Sequence, residues 1–259
     1  MTYLVLFVIF LGQSSPAPTT GARDVEFSAP RSVVVVDTGK LKGEPSMLAW
    51  SPDGSELYLQ LAERDRGGVM AAAKHFVVSV AVPTLKSADQ QPPWASKYWA
   101  WKSGQASPAA AAFKIAVEQQ QRTVRATSAP TGGALARGGT ADPTSGTTTE
   151  DAVSAANQSQ TQNVYLLRVN GEALGEWINE PVIPGITFGW APAPQRLIAY
   201  VKKDGGPLLV LDDQNRKREV PGAKAALLPA WSEDGLQLAW LERKDKKHYD
   251  LTIASATPR

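Results

Sequence analysis

The sequence contains no cysteine and only two histidines among its 259 residues. Without cysteine the chain can form no disulfide, no thiolate metal site, no cysteine nucleophile and no lipoprotein anchor of the bacterial kind. His75 and His248 each begin a predicted strand, in equivalent places of the first and last parts of the chain. Because such positions are typical of strand edges, we assign neither histidine a catalytic role and predict no metal site.

Neither sign of charge prevails. The chain has 27 basic and 25 acidic residues and a net charge of +2. Its basic runs, at 216–218 and 243–247, have acidic residues beside them and are predicted to be solvated hairpin tips. We therefore expect no nucleic-acid partner. An apolar fraction of 43% is enough for a packed core.

A long hydrophobic run is also missing. The N-terminal apolar stretch covers only 3–11, whereas a membrane span needs about 20 residues. Small residues follow up to Ala22, so we predict a signal peptide at 1–22 and a periplasmic or secreted protein with no membrane span after cleavage. A short buried strand is the alternative, because no lysine or arginine precedes the run.

A repeated motif organises the rest of the chain. It reads Trp-Ser-Pro-Asp-Gly at 50–54, recurs as Trp-Ser-Glu-Asp-Gly at 231–235, and is degraded at 190–194. An alternating apolar run follows each copy. In the first copy proline presets φ, aspartate bonds the backbone ahead of it and glycine accepts a positive φ. The motif predicts a strand, a tight turn and a second strand.

The spacing of the motif predicts the fold class. Trp190 and Trp231 are separated by 41 residues, the length of a four-stranded propeller blade. A further copy is predicted as a strand over 92–101, followed by a segment at 109–121 that favours a strand over a helix. Residues 126–162 are of low complexity and are predicted to be a disordered insertion. We expect an all-β propeller over 23–259 with four detectable four-stranded blades.

The last of these units shows only three strands. A run of four valines within 31–38 precedes the first unit and is predicted to form a strand. We expect this strand to pair with 249–254, to complete the last blade and to close the ring.

The motif and its alternating strand resemble the repeats of TolB-type periplasmic propellers. They are also similar to the propeller domains of prolyl-oligopeptidase-like peptidases. The resemblance covers 33–104 and 163–254 and implies a WD-like β-propeller. TolB-type propellers have six blades and usually an N-terminal α/β domain, whereas this chain shows four blades and no such domain.

No catalytic motif accompanies the repeat. The sequence has no Gly-x-Ser-x-Gly elbow and no glycine-rich phosphate loop between a strand and a helix. Asp53 and Asp234 belong to the repeated turn and are interpreted as structural. We therefore predict that the protein is not an enzyme and has no catalytic residue, no bound metal and no cofactor.

Eight tryptophans suggest where a partner could bind. Trp50, Trp101, Trp190 and Trp231 occupy the repeat and are predicted to pack between blades. The tentative contact residues are those outside this register, namely Trp94, Trp99 and Trp177.

Two long connections, 64–74 and 118–162, are both predicted to join the second strand of a unit to the third. They should therefore lie on one rim, which we predict to be the partner surface. We expect a non-enzymatic exported propeller that acts as a protein-binding or scaffolding module of the bacterial cell envelope. The alternatives are an orphaned regulatory propeller of a peptidase-like protein and a carbohydrate-binding propeller that takes a glycan.

Overall fold

The computed structural model describes residues 25–64, 70–102, 113–125, 159–179, 181–183, 186–192, 196–202 and 206–258. These residues form four antiparallel sheets and two helices, α1 (Thr38–Leu41) and α2 (Pro93–Lys102). The predicted all-β class is confirmed. Within the described ranges, no helix is both long and apolar enough to cross a bilayer.

The first sheet follows chain order, with strands β3 (Glu44–Trp50), β4 (Glu56–Arg64), β5 (Met70–Ser79) and β6 (Leu85–Ala88). The alternation after the first motif places Leu57, Leu59 and Leu61 in the core, where all three are fully buried. The loop predicted over 64–74 is shorter than expected, because β5 begins at Met70.

The second sheet has three strands, β7 (Ile115–Arg125), β8 (Ser159–Val169) and β9 (Glu172–Ile178). The strand predicted over 92–101 is wrong, since those residues form most of helix α2. Trp94, Tyr98 and Trp101 recur at helical spacing, and Pro93 suits the first position of a helix. Trp101 therefore does not occupy a blade core strand.

Two other predictions concern the same region. The strand expected within 109–121 is confirmed from Ile115 onward. Most of the predicted insertion, 126–158, lies outside the described residues, and so does the predicted signal peptide at 1–22. The last part of the insertion, 159–162, belongs to β8.

The third sheet contains β10 (Phe188–Trp190), β11 (Leu197–Val201), β12 (Leu208–Asp212) and β13 (Lys217–Glu219), in chain order. Both β11 and β12 are buried along their whole length. Such continuous apolar strands indicate that this sheet is covered on both faces.

The last sheet joins the two ends of the described chain. It contains β14 (Ala226–Trp231), β15 (Gln237–Arg243), β16 (His248–Pro258) and β2 (Arg31–Asp37), while β1 (Val25–Phe27) pairs with the far end of β16. Strand β2 runs antiparallel to β16, with Val36 opposite Tyr249 and Val34 opposite Leu251. The predicted pairing of the N-terminal strand with the last unit is confirmed.

The sheets pack side by side, in a manner consistent with propeller blades. The first strand of the last sheet, β14, lies between β3 and β10. One buried cluster joins the first and last sheets, a second joins the third and last, and a third joins the second and third. The repeat tryptophans Trp50, Trp190 and Trp231 are buried, and Trp50 Nε1 donates a hydrogen bond to the Ala230 carbonyl of the neighbouring sheet at 2.9 Å.

Candidate functional site

The repeated turn uses its polar groups internally. The Ser51 hydroxyl donates to Asp53 Oδ1 at 2.6 Å, and the Ser232 hydroxyl donates to Asp234 Oδ1 at 2.5 Å. Asp53 also accepts from the Ser55 backbone N–H and hydroxyl at 3.1 and 2.7 Å. Hydrogen bonds from the hydroxyls of Ser51 and Ser55 lower the pKa of Asp53 to about 2. These carboxylates therefore hold the turn.

The histidines are also engaged in local contacts. His75 Nδ1 lies 2.7 Å from the Tyr58 hydroxyl, and His248 Nδ1 lies 2.8 Å from Asp245 Oδ2. In the part of the chain that the structure describes, no three histidine or acidic side chains are grouped so that they could hold a metal ion.

A cavity of about 310 Å³ lies where the four sheets meet, and we call it the central cavity. The beginnings of β3 and β14, the residues just before β10, and the ends of β4, β9 and β11 form its walls. Its main lining residues are Pro45, Trp177, Ile183, Ile186, Leu227 and Leu228.

The surface of the central cavity is largely apolar. The Ser46 hydroxyl donates to the Gln60 carbonyl at 3.2 Å, and the Thr187 hydroxyl accepts from the Ile183 backbone N–H at 3.1 Å. Because these hydroxyls are engaged with the protein, proline, isoleucine and leucine side chains make up most of what a ligand would contact. Such a concave apolar surface is typical of a binding site.

A second cavity of about 210 Å³, the side cavity, lies between the first and last sheets. It shares Glu44, Pro45 and Leu227 with the central cavity. Arg243 and Lys246 also line it, and the Arg243 guanidinium carbon lies 5.8 Å from the centroid of the Tyr249 ring. An apolar cavity and a cationic cavity are thus direct neighbours.

The tentative contact residues lie in different places. Trp177 is only 3% exposed, and it lines the central cavity. Trp94 is half-buried in α2, where its ring makes an edge contact with Tyr58 at a centroid distance of 6.3 Å. Trp99 also belongs to α2, but its side chain is not among those that the structure describes. Ligand contact by the three tryptophans stays a prediction.

Sequence reasoning missed most of the cavity lining. The repeat could have indicated part of this lining, because Pro45, Ile186 and Leu227 each stand four or five residues before a motif tryptophan. Equivalent positions on neighbouring blades meet at the centre of a propeller. Arg243 and Lys246 belong to the β15–β16 hairpin, where Lys246 is exposed as predicted, and both also line the side cavity.

The two long connections, 65–69 and 126–158, lie outside the described residues, and only the strands beside them can be related to the central cavity. The connection at 65–69 follows β4, whose Ala62 lines the cavity. Strand β8 begins at Ser159, and its Tyr165 lies opposite Trp177 near the end of β9. The expectation that both connections lie on one rim therefore stays a prediction.

Comparison with known proteins gave no family model and no curated protein that matches the chain. Solved structures with similarity include the Dos1 propeller, at 9% identity over 82% of this chain and 41% of that one, with a TM-score of 0.23. TolB from Acinetobacter baumannii is 12% identical over 83% of this chain and 43% of its own, with a TM-score of 0.20. The chain spans about two fifths of the length of these structures. Because both TM-scores are low, the propeller-like arrangement rests on the strand pairing described above.

Proposed function

We propose that the protein is a non-enzymatic protein-binding or scaffolding module, exported to the bacterial cell envelope and engaging its partner through the rim of the central cavity. The observation that carries this proposal is the cavity itself, since a largely apolar space of about 310 Å³ lies where all four sheets meet. A space of this size accepts an aromatic or large aliphatic side chain of a partner. Side chains buried in such pockets supply much of the binding energy of an interface.

The surroundings of the cavity support binding without catalysis. Among the described lining residues, the Ser46 hydroxyl is bonded to Gln60 rather than to a histidine or carboxylate that could act as a base. A nucleophile needs such a base within hydrogen-bond reach. A protein partner is favoured over a glycan, because the buried Trp177 offers no open ring face for a sugar to stack on.

Capture from bacterial envelope extract tests this function, with the purified protein immobilised. Ile183 is 37% exposed and lines the cavity, whereas Val82 is 64% exposed and is not among the lining residues. We expect the parent protein and Val82→Glu to capture the same protein, and Ile183→Glu to capture at least about tenfold less, since a charge must then be buried at the contact.

Three results would contradict the proposal. The first is that both glutamate variants capture the partner equally well. The second is binding on a glycan array that Ile183→Glu abolishes. The third is peptidase or esterase activity that survives repurification. Export is tested separately by fractionation, where loss of residues 1–22 should retain the protein in the cytoplasm.

A further inference from the structure

We propose that the central and side cavities form one site for an apolar group that carries a carboxylate. This inference rests on the proposed function, because it specifies the chemistry of the partner segment that binds at the same face. The apolar group would occupy the central cavity, and its carboxylate would lie in the side cavity beside Arg243 and Lys246.

Shared walls support a single site. Glu44, Pro45 and Leu227 line both cavities, so the apolar space and the cationic one adjoin at these residues. A ligand that fills the central cavity can therefore reach the side cavity with a short extension.

The charges around the side cavity favour an anion. Arg243 and Lys246 line it against one lining carboxylate, that of Glu44. The lining thus carries a net excess of one positive charge.

This excess favours a carboxylate over a phosphate. A carboxylate brings a single negative charge, whereas a phosphate monoester brings about −1.5 to −2 at neutral pH. The second charge of a phosphate would lie near Glu44 without compensation. Contact between a carboxylate and Lys246 or Arg243 would also form a charge-assisted hydrogen bond, which is stronger than a bond between neutral groups.

Three probes with the same apolar group test the site, namely 1-naphthylacetate, 1-naphthylacetamide and 1-naphthyl phosphate. Their affinities for the full chain can be measured by ligand-observed NMR up to millimolar concentration. We expect the acetate to bind about tenfold more tightly than the neutral amide, as a hydrogen bond to a charged group implies. The phosphate should bind no more tightly than the acetate.

Matched variants assign the two parts of the site. Lys246→Gln removes a lining charge at an exposed position, and Lys86→Gln removes an exposed lysine on β6 as the control. We expect Lys246→Gln to weaken the acetate at least about threefold and to leave the amide unchanged. Ile183→Glu should weaken both probes, and Lys86→Gln should weaken neither.

Peptides identify the source of the carboxylate. The first peptide, acetyl-Gly-Gly-Phe with a free C-terminus, presents a terminal carboxylate. The second is its C-terminal amide and presents no carboxylate. The third, acetyl-Gly-Phe-Asp-Gly-amide, presents a side-chain carboxylate. Competition with 1-naphthylacetate by the first or third, but not by the second, supports a peptide ligand from that source. Competition by none of them, with acetate selectivity retained, supports a small free acid.

Some outcomes would overturn the site. They are equal affinity for acetate and amide, tighter binding of the phosphate, no binding of the acetate, or no effect of Lys246→Gln. Failure of the proposed function looks different, because envelope capture would then be independent of Ile183 while the acetate preference persisted. If capture depends on Ile183 but the acetate binds no more tightly than the amide, the proposed function is supported and this inference is rejected.

Discussion

At the scale of single residues, the two intact motif copies show which positions the turn depends on. Glu56 N–H and Gln237 N–H each donate to the motif serine hydroxyl at 2.9 Å. Gly54 and Gly235 both have a φ of 70°. The third motif position differs between the copies, with Pro52 in one and Glu233 in the other, yet both turns keep the bonds that join serine, aspartate and the backbone. Serine, aspartate and glycine therefore define the turn.

Neutralising the Asp53 carboxylate should destabilise the fold in a way that depends on pH. In the folded protein the pKa of Asp53 is about 2, below its ordinary value of 3.8. A lowered folded pKa means that the ionised group stabilises the fold above the ordinary value, and that this contribution is lost as pH falls toward 2. We expect Asp53→Asn to lower the Tm at pH 7 and to differ less from the parent between pH 4 and pH 2.

Thermal unfolding across this pH range checks the prediction. Asp89→Asn, at an exposed position after β6, is the matched control and should leave the Tm unchanged. A Tm difference between Asp53→Asn and the parent that is the same at pH 2 and pH 7 would show that the carboxylate charge does not hold the turn.

The turn could be predicted from the sequence because its bonding groups lie within a few residues of one another. The site of Trp177 could not be predicted in the same way. Its position beside the central cavity depends on how the second sheet packs against the third, and no local pattern encodes that packing.

At the scale of elements, helix α2 is the main departure from the prediction. The expected repeat favoured a strand, but Ala95 and Tyr98 lie on one helical face and are buried together. The Tyr98 hydroxyl donates to the Trp231 carbonyl of the last sheet at 2.7 Å. Burial raises the pKa of Tyr98 well above its ordinary value, so the phenol stays a neutral donor. The helix is thus bonded to the last sheet, and its Ala95 and Tyr98 belong to the buried cluster of the first and last sheets.

Removing the Tyr98 hydroxyl should therefore lower the stability of the whole fold. We expect Tyr98→Phe to reduce the free energy of unfolding by about 1 kcal/mol, because the variant leaves a buried carbonyl without this donor. Urea denaturation of the purified variant measures the effect. Lys97→Ala, at the exposed neighbouring position, should change the stability by less than about 0.5 kcal/mol. Equal effects from the two substitutions would show that the hydroxyl contributes nothing.

At the scale of the whole molecule, strand β2 belongs to a core that extends into both the first and the last sheets. Val33 and Val36 of β2 share a buried cluster with Leu48 and Leu59 of the first sheet and Leu251 of the last. Counting strands in each unit was enough to predict the partner of β2. The depth and lining of the central cavity were not predictable, because they depend on the angles between sheets.

Deleting residues 23–38 should destabilise the whole domain and not only one end. We expect one cooperative unfolding transition at a markedly lower temperature than in the parent, since both sheets lose core contacts. A point variant isolates the cause. Val36 is fully buried and Val35 is 57% exposed, so Val36→Ala should cost about 2 kcal/mol and Val35→Ala less than about 0.5. Thermal melting of the deletion that matches the parent would refute this account.

The pairing of β2 with β16 also constrains folding during synthesis. Residues 31–37 are made more than 200 residues before their partners at 248–253. At about 5–20 residues per second, the valine strand waits on the order of 10–40 s before its partner exists. The last sheet therefore cannot be completed until residues 248–253 have been made. An apolar strand that waits this long without its partner is exposed to misassembly.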